Sequence, residues 1–393
     1  MRPGPRVQSA IELLDAIIEA AQSNGAPADR LISAYFRERR YAGSKDRRAV
    51  RELVYTAIRA CGPVPKSGRA AMLRAAADDP ALAELFDSSQ HAPPRIGKKE
   101  QPAQGGVASS WMERQLVNSD LSDDEQRTLL SRAPLDLRVN SLKADRAALE
   151  LPEPGETLVT SQGLRYAPGT QVEQWDAHKS GLVEVQDLGS QVACMAVAAQ
   201  PGEDVIDLCA GAGGKTLALA AAMENTGRLV ASDTDRGRLS RLEPRAERAG
   251  AGNITSLLLD PQREWDKLGG YEGAADAVLI DAPCSGTGTW RRNPESRWRM
   301  NADALNKLTD TQDDLLNLGA RLVKPGGRLI YVTCSLLDAE GPDRIARFRD
   351  AHADWQTLRP DLPLGRLRGE GTRLTPYHDG TDGFFIASLT LPC

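Results

Sequence analysis

The sequence predicts an α/β protein whose C-terminal half is a doubly wound, mostly parallel sheet. A small mixed α/β segment and an all-α N-terminal domain precede it. Three observations carry this expectation. From about Gly181, short β-branched runs alternate with helical stretches, the pattern of a parallel sheet with crossover helices. One such unit is unusually clear: the buried-strand pattern Glu203-Asp-Val-Ile-Asp-Leu208, the loop Cys209-Ala-Gly-Ala-Gly-Gly-Lys215, then the helix former Leu217-Ala-Leu-Ala-Ala-Ala-Met223. Residues 7–60, in contrast, carry apolar positions at helical spacing.

A chain of 393 residues has room for two or three domains with cores of their own. Apolar residues make up 41% of it, with no run near the roughly 20 residues of a membrane span. The first helical pattern (Val7, Ile11, Leu14, Ile17, Ile18) is interrupted by Glu12, Asp15 and Glu19, unlike a secretory leader or an acid-poor transit peptide. The chain therefore reads as cytoplasmic. Six scattered cysteines form no C-x-x-C pair, and none of the four histidines stands at zinc-ligand spacing from them, so neither a metal nor a disulfide framework is expected. A net charge of −5 argues against indiscriminate nucleic-acid binding. It leaves two local basic clusters, Arg37–Arg51 and Arg291–Arg299, for either of which a solvated surface is the plain alternative.

In chain order, Ile11 to Ile18, Leu31 to Phe36 and Val50 to Ile58 mark three helices, with Ser44 or Asp46 as cap of the third. Residues 69–86 continue helical. The Pro-, Gly- and charge-rich stretch 91–110 reads as a linker closing a domain of residues 1–90. Residues 111–180 read as the small α/β segment: helices at Trp111–Asn118 and after Ser122, a strand at Leu135–Asn140, a short helix at Lys143–Leu149 and an extended piece at Leu164–Tyr166. Residues 181–393 form the sheet domain, with strands at Val205–Leu208, Arg228–Ser232, Ile254–Leu259, Ala277–Ile280, Leu329–Thr333 and Phe384–Leu391.

The residues with chemistry fall at the carboxyl ends of these strands, where open α/β sheets bind ligands. Gly214-Lys-Thr216 invites a phosphate-loop reading, but that motif needs glycine at position 209, which is cysteine. A dinucleotide fingerprint fails as well, because position 216 is threonine. An adenosine ligand without a pyrophosphate still fits. Asp233, at the end of the next strand, is placed to accept from ribose hydroxyls, and Asp260, one strand further, to reach the adenine amino group. Caps or turn residues are the bland reading of either aspartate. Cys284 and Cys334 close the fourth and fifth strands, which would bring both thiols to one cleft; two buried structural cysteines are the alternative.

Together, Asp207-Leu-Cys-Ala-Gly-Ala-Gly-Gly-Lys-Thr216, Asp281-Ala-Pro-Cys-Ser-Gly-Thr-Gly288 and Tyr331-Val-Thr-Cys-Ser335 resemble the RNA cytosine-5 methyltransferases, the family of the bacterial RsmB and eukaryotic NSUN enzymes. Further matching stretches are Pro134–Asn140, Gln186–Gln191, Arg291-Arg-Asn-Pro294, Lys324-Pro-Gly-Gly327 and Asp382-Gly-Phe-Phe385, so that the resemblance spans roughly residues 111–391. Where the family usually has Ala-Pro, this chain has Gly211-Ala212, a more flexible backbone. Ser44–Arg59 is similar to the NusB-like RNA-binding domain found in front of RsmB-type catalytic domains.

The resemblance implies a Rossmann-like methyltransferase sheet and S-adenosyl-L-methionine as methyl donor, held by Cys209, Ala210, Gly211, Ala212, Gly213, Gly214 and Lys215 with Asp233, Asp260 and Asp281. It implies Cys334 as nucleophile toward carbon 6 of cytosine, Cys284 in release of the product, and Asp281 with Lys215 on the base edge. The substrate it implies is RNA, with 16S ribosomal RNA ahead of transfer RNA, and a monomer without metal. Arg291, Arg292, Arg297 and Arg299, directly after the Cys284 motif, are expected to clamp RNA phosphates; Trp290 and Trp298 are candidate stacking platforms, with core packing the expected role of at least one. Two rival readings remain. DNA cytosine methylation would make Cys284 the nucleophile, and a non-catalytic RNA-binding or assembly factor would retain the fold alone.

Overall fold

The computed structural model describes residues 1–23 and 25–393. They group into two units, one of residues 1–131 with 289–304, the other of residues 132–288 with 305–393. Both are discontinuous, and they divide the chain differently from the boundaries drawn at 90, 110 and 180.

The first unit is helical: α1 (Pro3–Gln22), α2 (Ala28–Glu38), α3 (Ser44–Ala60), α4 (Gly68–Ala77), α5 (Pro80–Ala83), α6 (Ser110–Asn118) and α7 (Asp123–Thr128). The apolar stripes meet in one core, where Leu14 and Ile17 of α1 lie among Ile32, Phe36, Val54, Ile58 and Met72. Gly68 starts α4 so close to α1 that a Cβ there would stand 2.2 Å from the Ile11 carbonyl oxygen. Asp46, in the first turn of α3, accepts from the Gly43 N–H at 3.3 Å, so the cap group is Asp46 acting on Gly43 rather than Ser44. The stretch 91–106, expected to be a linker, is fastened along the unit. Ala103 donates to the Ala70 carbonyl, Gly62 donates to the Gln104 carbonyl, and Arg69 pairs with Glu100 at 2.7 Å.

The basic segment near residue 295 belongs to this same unit, and its charges complete helix ends. A helix leaves its first N–H groups and last carbonyls unpaired, with partial charges that favour an anion at the start and a cation at the end. Glu295 accepts from the Ala28 N–H that opens α2, at 3.1 Å. Arg297, 2% exposed, donates to the Ile58 and Cys61 carbonyls at the end of α3. Arg299 donates to the Ala20 carbonyl near the end of α1 and to those of Gly25 and Ala26. Burial pulls the Arg297 guanidinium down to about 10, and it stays charged at neutral pH. Trp298 packs into the helical core and donates to the Gly62 carbonyl, and Trp290 is fully buried. Arg291 is also buried. The expected phosphate clamp is thus corrected for Arg291, Arg297 and Arg299, whose segment packs into the helical unit; of the two roles weighed for the tryptophans, both take the core-packing one. Arg292 is half-buried in the same segment.

The second unit holds two sheets. The small one contains β1 (Leu135–Val139), β2 (Glu156–Thr157), β3 (Gly163–Tyr166) and β4 (Val183–Val185), in the order β2-β3-β1-β4 and antiparallel throughout. Residues 143–149, expected to be helical, form turns. The large sheet contains β5 (Asp204–Asp207), β6 (Arg228–Asp233), β7 (Ile254–Leu258), β8 (Ala275–Asp281), β9 (Val323–Thr333), β10 (Gln356–Leu358), β11 (Arg366–Arg368), β12 (Gly371–Leu374) and β13 (Phe384–Thr390). Its order is β11-β12-β13-β9-β8-β5-β6-β7, with β10 on β13. The pairs β7-β6, β6-β5, β5-β8 and β8-β9 are parallel and β13 is antiparallel to β9, which gives the Rossmann-like doubly wound sheet expected. All six large-sheet strands read from the sequence are present. Strand order reverses at β5, where such sheets open a crevice for ligands. Among the described residues no helix is long and apolar enough to cross a membrane.

Candidate active site

The loop after β5 is shaped by two glycines in the left-handed region, Gly211 (φ +56°) and Gly213 (φ +84°). Ala210 donates to the Ser232 carbonyl at 2.9 Å, and Gly211 donates to Asp233 Oδ2 at 2.8 Å. A Cβ on Gly213 would meet Leu242 at 2.1 Å, and one on Gly211 would meet the Arg238 guanidinium at 2.3 Å. Gly211 thus makes room for an arginine lying across the loop. On its other side the Ala212 carbonyl accepts from Arg245 at 2.7 Å, and Arg245 is itself paired with buried Glu184. Beside Gly214, which opens the following helix, a Cβ would find no atom within 4 Å. Burial and the carboxylates of Asp207, Asp281 and Asp233 push the Cys209 thiol up, which leaves it neutral.

A cleft of about 950 Å³ opens over the strand ends. Cys209, Asp233, Arg238, Trp265, Asp281, Cys284 and Cys334 all line it. Asp233 is buried, and its second oxygen accepts from the Asp235 N–H at 2.7 Å, so it shapes the loop as well as facing the cleft. Asp260 behaves otherwise. Its neighbours Leu259 and Pro261 form the wall, while its own side chain is 63% exposed and paired with Lys267 at 3.2 Å. The structure does not bring it to the others.

Lys215, which is not part of the cleft lining, has its Nζ 2.7 Å from Oδ2 of Asp281, which is. Burial alone would pull this ammonium down, but Asp281 and the nearby cysteines outweigh it and hold it above its usual value. The two sulfurs of Cys284 and Cys334 are 3.4 Å apart. The hydrogen bond to Cys334, then burial, push the Cys284 thiol well up. The pair sits where β8 and β9 end side by side, in register from Val278 opposite Leu329 to Asp281 opposite Val332. Gly288 and Gly383 touch backbone to backbone: Gly383 donates to the Gly288 carbonyl at 2.8 Å, and a Cβ on Gly288 would fall 2.1 Å from the Gly383 oxygen. This contact joins the Cys284 motif to Asp382-Gly-Phe-Phe385.

The sequence reading missed the groups beneath the pair. Glu340, fully buried, accepts from the N–H and hydroxyl of Ser285 and from the Ser335 hydroxyl. Gln312, also fully buried, bridges Glu340 to the Pro283 carbonyl. No local signal sets either apart, since their partners lie 5–55 residues away. Among the described residues no group of three or more His, Cys, Asp or Glu is arranged to hold a metal ion.

Residues 194–390 match the model of the family described as 16S rRNA methyltransferase RsmB/F. The chain belongs to the RsmB/F family. Its similarity extends to ribosomal RNA small subunit methyltransferase B of Xanthomonas campestris pv. campestris, 33% identical over 71% of this chain and 65% of that one. It extends likewise to the protein of the same name from Erwinia tasmaniensis, 33% identical over 66% of this chain and 60% of that one. The chain spans about three fifths of the length of the curated relatives it matches. Among solved structures, PH0851 is 25% identical, with a TM-score of 0.75 over 98% of both chains. The matched RsmB/F region takes in the loop after β5, Asp233, Asp281 and both cysteines of the cleft.

Proposed function

We propose that this chain transfers a methyl group from S-adenosyl-L-methionine to carbon 5 of a cytosine in RNA, with 16S ribosomal RNA as substrate, through a covalent adduct on Cys334. The observation that carries the reading is the sulfur pair, 3.4 Å apart and lining one cleft with Asp281, Asp233 and Cys209. Carbon 5 of cytosine is a weak nucleophile. A thiolate adding to carbon 6 pushes electron density onto carbon 5, which splits one hard step into two easier ones.

The cradle suits a nucleoside-bearing donor. Open space beside Gly214 and a buried Asp233 carboxylate at the cleft, below a loop turned by two left-handed glycines, support a ligand site there. Cys209–Lys215 and Asp233 would hold S-adenosyl-L-methionine there, and when bound it supplies an electrophilic methyl group. Asp281 faces the cleft with one oxygen fixed by Lys215, which leaves the other to accept from the exocyclic amine of cytosine. Lys215 also holds that carboxylate in place beside the base as the adduct forms. Between the thiols, the raised Cys284 favours Cys334 as the nucleophile and Cys284 as the group that assists release, against the DNA-type assignment. The target base must leave its stack to reach the cleft, which favours a loop or opened helix in the RNA.

The test is methyl transfer from labelled S-adenosyl-L-methionine to 16S ribosomal RNA, mapped by bisulfite resistance. One protected cytosine is expected, with the rate of Cys334→Ala lower by about 10⁴-fold. Label on another atom of the base or on ribose, or an active Cys334→Ala, contradicts the reading.

A further inference from the structure

We propose that Glu340 is the positioning residue of the cysteine pair: its carboxylate ties the residues that follow both cysteines to one point, and its unbalanced negative charge keeps the proton on Cys284. The inference rests on the covalent cysteine reading above.

The geometry has two parts. First, Ser285 follows Cys284 and Ser335 follows Cys334. Glu340 accepts from both hydroxyls and from the Ser285 N–H at 2.8 Å. Thr287 reinforces the bridge, since its hydroxyl is 3.1 Å from Ser335 Oγ and accepts from the Leu336 N–H. From the next helix, Gln312 donates to Glu340 at 3.1 Å and to the Pro283 carbonyl at 2.9 Å. Two loops 50 residues apart in sequence therefore hang on one carboxylate, and their sulfurs are held in contact.

Second, every donor to Glu340 is neutral. Among the described residues no lysine or arginine lies within ion-pair distance of it. Arg344, four residues further along the chain, is held by Asp313 at 2.8 Å. Tyr331 gives its hydroxyl to the Glu340 backbone carbonyl at 2.9 Å, and burial first, then Cys284 and Glu340, raise it. A buried anion beside a thiol disfavours the thiolate. Glu340 acts this way on Cys284, together with Cys334 and burial and against the Gly286 backbone.

The consequence is a division of labour. Cys284 enters the reaction as a thiol. In the release step it passes its proton to the departing Cys334 sulfur and takes the carbon 5 proton in return. The carbon–sulfur electron pair goes to Cys334, and the carbon 5–hydrogen pair restores the ring double bond.

The test does not need RNA, so it fails or succeeds apart from the methyltransferase reading. In a Cys334→Ala chain, iodoacetamide alkylation of Cys284 is followed against pH by mass spectrometry of its peptide. Burial and the Glu340 charge remain in this chain after the Cys334 hydrogen bond is gone, so half-maximal rate is expected at a pH above the roughly 8.5 of a free thiol. Glu340→Gln should lower that midpoint by a unit or more, and so speed alkylation at pH 8 about tenfold. Glu340→Asp, which keeps the charge, should restore the high midpoint, which a role in packing alone would not do. Identical profiles with and without the Glu340→Gln substitution overturn the proposal. If Glu340→Gln does not fold, Glu340→Ala in the same background is read instead: a lowered midpoint supports the proposal and an unchanged one overturns it.

Discussion

Asp207 ends β5 with a carboxylate that solvent does not reach. Thr216 donates to one oxygen at 2.7 Å, and the other has no partner. Burial, reinforced by Asp281 and Asp233 and opposed by Thr216 and Lys215, pushes this acid up to about 7. An unfolded aspartate titrates near 3.9. Between those values the folded chain keeps a proton that the unfolded chain has lost, so this group's contribution to stability is present below pH 4 and is lost as pH rises toward 7. Asp207→Asn removes the titration. It should stabilise the sheet unit by roughly 1–3 kcal/mol more at pH 8 than at pH 4, read from denaturant melts at both pH values. Equal effects at the two pH values contradict this account. Asp207 was legible only as part of a motif. Cys284, Cys334 and Asp233 were legible as candidates because each stands at or just beyond the end of a strand. Asp207 and Glu340 owe their character to what the fold packs against them, which no spacing records.

The segment 289–304 shows why charge runs mislead. Arginines that wrap a phosphate and arginines that finish a helix both answer a surplus of oxygen acceptors, and composition cannot tell the acceptors apart. The alternation within the segment is informative afterwards: Glu295 meets a helix start, while Arg297 and Arg299 meet helix ends. Arg297→Met should leave the Ile58, Cys61 and Pro294 carbonyls without their charged donor and cost the helical unit roughly 2–4 kcal/mol. RNA affinity and its salt dependence should stay within about twofold of the parent. Weaker RNA binding with an unchanged melting curve would restore the arginine to the phosphate clamp. The residues 143–149 teach a related lesson, since a weak helical pattern became turns beside the small sheet.

At the scale of the molecule, the alternation of strand and helix patterns was enough to place β5 to β9 and β13, although the edge strand β7 is half-exposed and carries Thr255 and Ser256. Chain order then put β5 and β8 at the switch point and both cysteines over one cleft. The division into units was not legible in the same way. Each unit takes two separated pieces of chain, and a boundary drawn from a Pro- and Gly-rich stretch assumes that neighbours in sequence share a core. The residues 91–106 break that assumption by lying along their own unit.

The central claim is that one sulfur of the pair bonds the base and the other frees it. The most direct measurement is a denaturing gel of the chain after incubation with S-adenosyl-L-methionine and substrate RNA. Cys284→Ala should accumulate a protein–RNA adduct that survives denaturation, and Cys284→Ala combined with Cys334→Ala should show none. An adduct that persists without Cys334, or that forms through Cys284 when Cys334 is replaced, contradicts the account.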